Sequence, residues 1–297
     1  MNDTQAIPQV RLTVRAPVSF RRLLASRFLR NRAGVAGLVI VSLFALLGVL
    51  APVLRLDLPD AQDLEHVTEP PSREHWLGTD NLGRDLLSRV VHGARISLMI
   101  GVLATSVGLG IGATAGGLAG FHGGKIDETV MRVVEIFMAF PGLLLALLVV
   151  SILGPGLYSV MLAVGISTSP AFARVMRASI LQVKSEEFVE AAQAIGAPGL
   201  TILRRHILPN AMGPIIVHGS LLLGASIVTA SSLSFLGLGP KPPTPEWGVM
   251  LNEARNYLYI APHTTIFPGL AILLAALGFN MAGDALRDAL DVRLKMD

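Results

Sequence analysis

Apolar and polar positions in this chain fall into long blocks and do not alternate. Residues 33–54 carry no charge for about 22 positions, or about 33 Å of helix at 1.5 Å per residue, enough to cross a bilayer. Five further apolar blocks follow at 96–121, 136–153, 157–173, 211–240 and 264–283. The pattern predicts an all-α, polytopic membrane protein with about six transmembrane helices. It divides the chain into a basic N-terminal segment (1–32), a first transmembrane helix (33–54), a long polar loop (55–95) and a transmembrane core (96–297). Within that core, residues 184–210 form a polar island between apolar runs, so they belong in water beside the membrane.

The island reads as two short helices with a sharp break. Ser185 is placed to cap the first, Glu186 and Glu187 fill its first turn, and Gly196 closes it. Pro198 cannot continue that helix but suits the start of the next. Phe188, Ala191, Ala192 and Ile195 recur at i, i+3, i+4 and i+7, giving one apolar face of mostly small residues. On physical grounds the segment is either an ordinary hairpin between spans or a surface that lets a partner approach the backbone closely.

The second span carries Ala104, Gly108, Gly112, Gly116 and Gly120 at four-residue intervals, a stripe almost without side chains. Such a stripe is expected to bury against another helix at close range, with lining a pathway as the alternative. In the preceding loop, Gly, Asp and Arg alternate through His75-Trp76-Leu77-Gly78-Thr79-Asp80-Asn81-Leu82-Gly83-Arg84-Asp85, a pattern suited to a charge-paired turn. His75 has no partner at helical spacing and reads as a surface residue, and no metal-ligand spacing is present. Phe20, Leu23, Leu24 and Phe28 among the N-terminal arginines fit a short basic helix on the inner leaflet or a simple orientation signal.

Composition narrows the class. The chain is 52% hydrophobic and 15% charged, with mean hydropathy +0.60, too apolar for an ordinary soluble domain. A pI near 9.6 could suggest nucleic acid, but the bases lie in short segments flanking the spans. With the N-terminus inside, inner segments hold 17 of the 24 Lys and Arg and outer loops hold 7, so both termini and the 184–210 island are predicted to face the cytoplasm. The absence of Cys excludes disulfides, thiolate metal sites and a Cys nucleophile. No cleavable signal peptide is evident, because the first apolar run starts at Ala33 and is long enough to span. His122-Gly123-Gly124-Lys125 is no phosphate-binding loop, since Gly-x-x-x-x-Gly-Lys-Ser/Thr occurs nowhere in the chain.

Glu190-Ala191-Ala192, three residues, Gly196 and then Leu208-Pro209 resembles the EAA loop of bacterial ABC-importer permeases. The general pattern has Ile two residues before that Leu, where this chain has His206 followed by Ile207. His-Ile-Leu-Pro-Asn resembles the variant found in peptide-type permeases. The 75–85 segment, Pro242-Pro243-Thr244-Pro245-Glu246-Trp247-Gly248 and the run from Asn280 to Asp291 are similar to the C-type permeases of dipeptide, oligopeptide and nickel importers. Where that family continues with Pro-Arg, Val292 precedes Arg293 here. The resemblance implies a subunit of the inner membrane that forms a translocation pathway with a second homologous permease. It also implies two cytoplasmic ATPase subunits and an external substrate-binding protein. Glu190, Ala191, Ala192, Gly196, Pro198, Leu208 and Pro209 would then form the ATPase-coupling loop. No cofactor, metal or catalytic residue is implied, and peptides are the expected substrate, with nickel, glutathione or another small solute as alternatives.

Two other classes fit less well. A self-sufficient secondary transporter usually keeps ionisable residues inside its spans, at about 2.5–3.5 kcal/mol each, and the six predicted span interiors contain no Asp, Glu, Lys or Arg. Sodium coupling through backbone carbonyls is less constrained by that observation. An intramembrane serine hydrolase is prompted by Ser226 and His218, but eight residues on one helix separate them by about 12 Å, against the roughly 3 Å that a Ser–His pair needs. His218 is expected to bond a neighbouring helix or to face the pathway.

Overall fold

A computed structural model describes residues 20–54 and 56–291. The long elements of the described chain are all helices: α1 (Phe20–Arg30), α2 (Arg32–Leu50), α3 (Leu86–His122), α4 (Gly124–Met138), α5 (Gly142–Leu153), α6 (Leu157–Lys184), α7 (Glu187–Ala194), α8 (Gly199–Ile202), α9 (Leu208–Phe235), α10 (Trp247–Ala254) and α11 (His263–Asp291). Among the described residues the only β-type pairing is an isolated bridge between Thr79 and Asp85. Most of the N-terminal basic segment lies outside the described residues, but α1 falls where the basic helix was expected.

Five stretches are long and apolar enough to cross a membrane: α2, α3, α6, the continuous run Gly199–Phe235, and α11. The predicted third span, 136–153, is not one straight helix. It is shared between α4 and α5, which meet at 93° across a break of three residues. Pro141 explains the break, because it donates no N–H and pushes Phe140 out of the helical region. Helix α5 alone is only about 18 Å long, short of the roughly 30 Å hydrocarbon core. Helix α3 begins at Leu86, ahead of the predicted 96, because Asp85 caps it by accepting from Ser88 N at 2.7 Å.

Small residues set the packing. Gly108, Gly112, Gly116 and Gly120 all face α6: a Cβ at Gly108 would lie 2.8 Å from the Gly165 carbonyl oxygen, and one at Gly112 would lie 2.9 Å from Ala173 N. Gly165 answers from the other side, where a Cβ would lie 2.9 Å from the Ala104 carbonyl oxygen. Gly37 brings α2 onto α11 in the same way, and Gly224 brings α9 onto α11. Helices associate at this range by dispersion and backbone contact, since lipid supplies no hydrophobic drive between them. Leu38, Val39, Leu43, Leu46 and Val49 of α2 remain exposed, as suits a helix facing lipid.

Three buried clusters hold the body, one of them joining α3, α9, α10 and α11 through Leu86, Ile227, Trp247 and Ala275. Ile100, Ala146, Val150, Val160, Val164 and Leu233 join α3, α5, α6 and α9. Phe172, Ile180, Val189, Ala192, Ile207 and Ile215 join α6 to α7 and to α9, which fixes the polar island to the bundle.

Candidate coupling site

The island is built on a platform of three helix ends. Lys184, the last residue of α6, donates to the Phe121 carbonyl at 2.9 Å and lies 6.0 Å from that ring's centroid, so it satisfies an orphan carbonyl at the end of α3. Arg177 of α6 grips Asp127 in the first turn of α4 with two bonds of 2.5 and 2.6 Å. Those bonds to the guanidinium hold the Asp127 carboxyl below its ordinary value.

Helix α7 starts from this platform, but its cap differs from the predicted one. Glu186 occupies the N-cap without a side-chain bond, while Ser185 Oγ donates back to the Gln182 carbonyl at 2.8 Å. The far end follows the sequence pattern. Gly196 has φ +79°, its N–H bonds the Gln193 carbonyl at 2.9 Å, and Ala197 N–H bonds the Ala192 carbonyl at 3.1 Å. These two bonds form the paired helix stop that favours glycine. Pro198 then caps α8 in an extended conformation, as its place before the second short helix suggested.

The faces of α7 divide differently from the sequence pattern. Val189 and Ala192 are buried in the core cluster, whereas Phe188, Glu190, Ala191 and Ile195 are exposed. Ala192 therefore points away from the other members of its predicted stripe. Helix α7 is apolar on both sides, and the i, i+3 pair of Val189 and Ala192 was the signal that could have separated the anchoring face from the free one. Ile195, 85% exposed, and Leu200, 57% exposed, extend the free face across the glycine break.

The chain next widens into a π-type turn, Leu203–Ile207, with Leu208 N–H bonding the Leu203 carbonyl. Pro209 accounts for it, since its ring would collide with the Arg205 carbonyl in a regular helix. Leu208 packs on the core cluster and Pro209 sits in the first turn of α9, exposed.

At the opposite end the two long loops lock together. Asp80 and Arg84 close a charge-paired turn at 2.6 Å, as the residue pattern suggested, and Glu253 of α10 accepts from both Arg84 and Arg89 at 3.0 Å. Both guanidiniums are 1% exposed. His75 is not a free surface residue: its Nδ1 lies 3.0 Å from Asp85 Oδ2, in a partly buried site. Trp247 is fully buried, donates Nε1–H to the Val90 carbonyl at 3.0 Å, and fits because Gly93 has no side chain. Glu246 beside it caps α10 through Val249 N, and burial pushes its carboxyl up. Pairings such as Arg84 with Glu253 span 169 positions, so no local sequence pattern could reveal them.

The hydrolase constellation is not assembled. Ser226 Oγ accepts from Thr105 Oγ1 at 3.0 Å, while the His218 ring meets Phe172 edge-on at 5.4 Å and its buried Nε2 has no partner among the described residues. The bond from His218 to a neighbouring helix is therefore absent at that nitrogen.

Long apolar helices in close glycine contact, a bent helix pair and a short anchored helix between α6 and α9 define a polytopic helical membrane protein. The chain matches the model of the binding-protein-dependent transport system inner membrane component over residues 108–296, and that of the N-terminal transmembrane domain of oligopeptide transport permease C over residues 19–71. It is 49% identical over 270 residues to the glutathione transport system permease protein GsiD of Pectobacterium atrosepticum, covering 91% of this chain and 90% of the relative. It is 43% identical over 266 residues to the dipeptide transport system permease protein DppC of Alkalihalophilus pseudofirmus, covering 90% and 88%. Its fold is similar to an inward-facing MetNI methionine ABC transporter chain (TM-score 0.56, 21% identity, 68% of this chain and 96% of that one) and to an amino acid ABC transporter (TM-score 0.54, 18% identity, 70% and 94%). The chain belongs to the family of inner membrane permease components of binding-protein-dependent ABC importers.

Proposed function

We propose that this subunit conducts short peptides, glutathione-like tripeptides included, through a pathway formed with a second homologous permease. Two cytoplasmic ATPases dock at the α7 loops of the pair and carry out the hydrolysis. An external binding protein delivers substrate to the opposite end, and both termini lie in the cytoplasm. The observation that carries the coupling role is the division of α7. Val189 and Ala192 tie it to the bundle, while Phe188, Glu190, Ala191 and Ile195 lie free for a partner cleft. A push on the free face reaches α6 and α9 through the same cluster, which is how nucleotide-driven closure would rock the spans. The names of the two relatives support peptides over nickel.

The test is uptake by the reconstituted importer. Uptake of labelled dipeptide or glutathione should require ATP and the binding protein, and nickel should not compete. Nickel uptake indifferent to peptide would overturn the substrate class. Peptide uptake driven by an ion gradient without ATP would overturn the coupling role.

A further inference from the structure

Helices α6, α7, α9 and α11 enclose a cleft of about 660 Å³ on the α7 side of the bundle. That volume falls within the roughly 300–1,000 Å³ of small-molecule sites. Six polar side chains line it: Ser179 and Gln182 of α6, Glu186 before α7, Asn210 and His218 of α9, and Arg287 of α11. Ser179 is buried without a hydrogen-bond partner and His218 Nε2 is buried without one, whereas Gln182, Glu186 and Arg287 stand exposed at the rim and, among the described residues, make no hydrogen bond or ion pair within the chain. Only Asn210 is engaged, donating to the His206 carbonyl at 2.7 Å. Between these groups the wall is apolar, from Val175, Phe188 and Val217.

Buried polar groups without partners inside a hollow, with opposite charges exposed at its rim, are what a small polar ligand can engage. The set contains one carboxylate, one guanidinium and neutral donors and acceptors, which complements a small zwitterion. We infer that this cleft binds the imported peptide on the ATPase side, with Arg287 receiving its carboxylate and Glu186 its ammonium group. The inference rests on the peptide-importer reading. Because Glu186 and Phe188 belong to the coupling loop, a ligand seated here ties that loop to three spans at once. A ligand that favours one arrangement shifts the population toward it, so peptide accumulating on the release side restrains α7 and slows the ATPases.

The experiment uses the assembled importer in nanodiscs, without binding protein, and measures basal ATP hydrolysis with trialanine as the probe. Saturating trialanine should suppress hydrolysis about fivefold or more. N-acetyl-trialanine and trialanine amide, each lacking one charge, should suppress it far less. Arg287→Gln and Glu186→Gln should abolish the response while the subunits still co-purify, and Arg287→Lys should retain part of it. Unchanged hydrolysis in the wild type, or equal suppression in both Gln variants, overturns the inference. Peptide uptake in proteoliposomes separates the two readings. Uptake with no response to trialanine removes this site alone, whereas absence of ATP-driven peptide uptake overturns the importer reading and its ligand here together.

Discussion

Gly196 carries more of the proposed coupling than any charged neighbour. Its φ of +79° is ordinary for glycine and costs other residues about 1–2 kcal/mol, while a Cβ there would meet nothing within 4 Å. Gly196→Val therefore strains the backbone without a clash and should re-aim α8 relative to α7. Uptake is expected to fall about tenfold, in keeping with a factor of 5–30 for that energy, while the subunit still pairs with its partner permease. Glu190→Ala should act in the same direction more weakly, since it removes one exposed charge and leaves the glycine stop intact. Wild-type uptake by Gly196→Val at normal ATPase occupancy would reduce the loop to a connector. Asp127 makes a second test. Arg177 depresses its carboxyl, so the folded chain binds fewer protons there than the unfolded one. The stabilisation is complete above the unfolded value of 3.8 and drains away as pH falls through the lowered folded value. Melting in detergent from pH 6 downward should show a steeper loss in the wild type than in Asp127→Asn, and parallel curves would remove the pair from the account.

At the scale of elements, the stripe and the island differ in how far sequence could reach. Four-residue spacing placed Gly108, Gly112, Gly116 and Gly120 on one side of a helix and favoured packing over a pathway, but which helix they meet became visible only when α6 was found against them. The structure also sharpens the expected cost. A methyl group at Gly112 would lie 2.5 Å from Phe172 Cβ and 2.9 Å from Ala173 N, and backbone cannot step aside. Gly112→Ala is thus expected to lower the yield of assembled complex nearly as much as Gly112→Leu. Gly110→Ala, with nothing within 4 Å, should assemble normally. Equal yields for Gly112→Ala and Gly110→Ala would show that α3 and α6 can separate at little cost. The break at Pro141 was legible in residue type but hidden by hydropathy, which averages across a bend. The two-sided character of α7 was hidden for a related reason, because a period of 3.6 marks apolar positions and not which neighbour they meet.

At the scale of the molecule, the proposed orientation rests on charge alone, and the chain offers a clean way to check it. It has no Cys, so a single introduced thiol is the only one that a reagent can find. Ser72, in the first long loop, and Lys241, before α10, are both exposed; Ser185, between α6 and α7, is exposed at the other end. The bias of 17 inner against 7 outer Lys and Arg predicts that Ser72 and Lys241 lie outside and Ser185 in the cytoplasm. A membrane-impermeant maleimide on intact cells should therefore label Ser72→Cys and Lys241→Cys. Ser185→Cys should react only after permeabilisation. None of the three side chains is buried, so failure to label reports the membrane and not the fold. Labelling of Ser185→Cys from outside would invert the subunit. It would put α7 beyond the reach of a cytoplasmic ATPase, remove the release-side reading of the cleft beside it, and leave the interlocked loops around Arg84, Arg89 and Glu253 facing the cytoplasm.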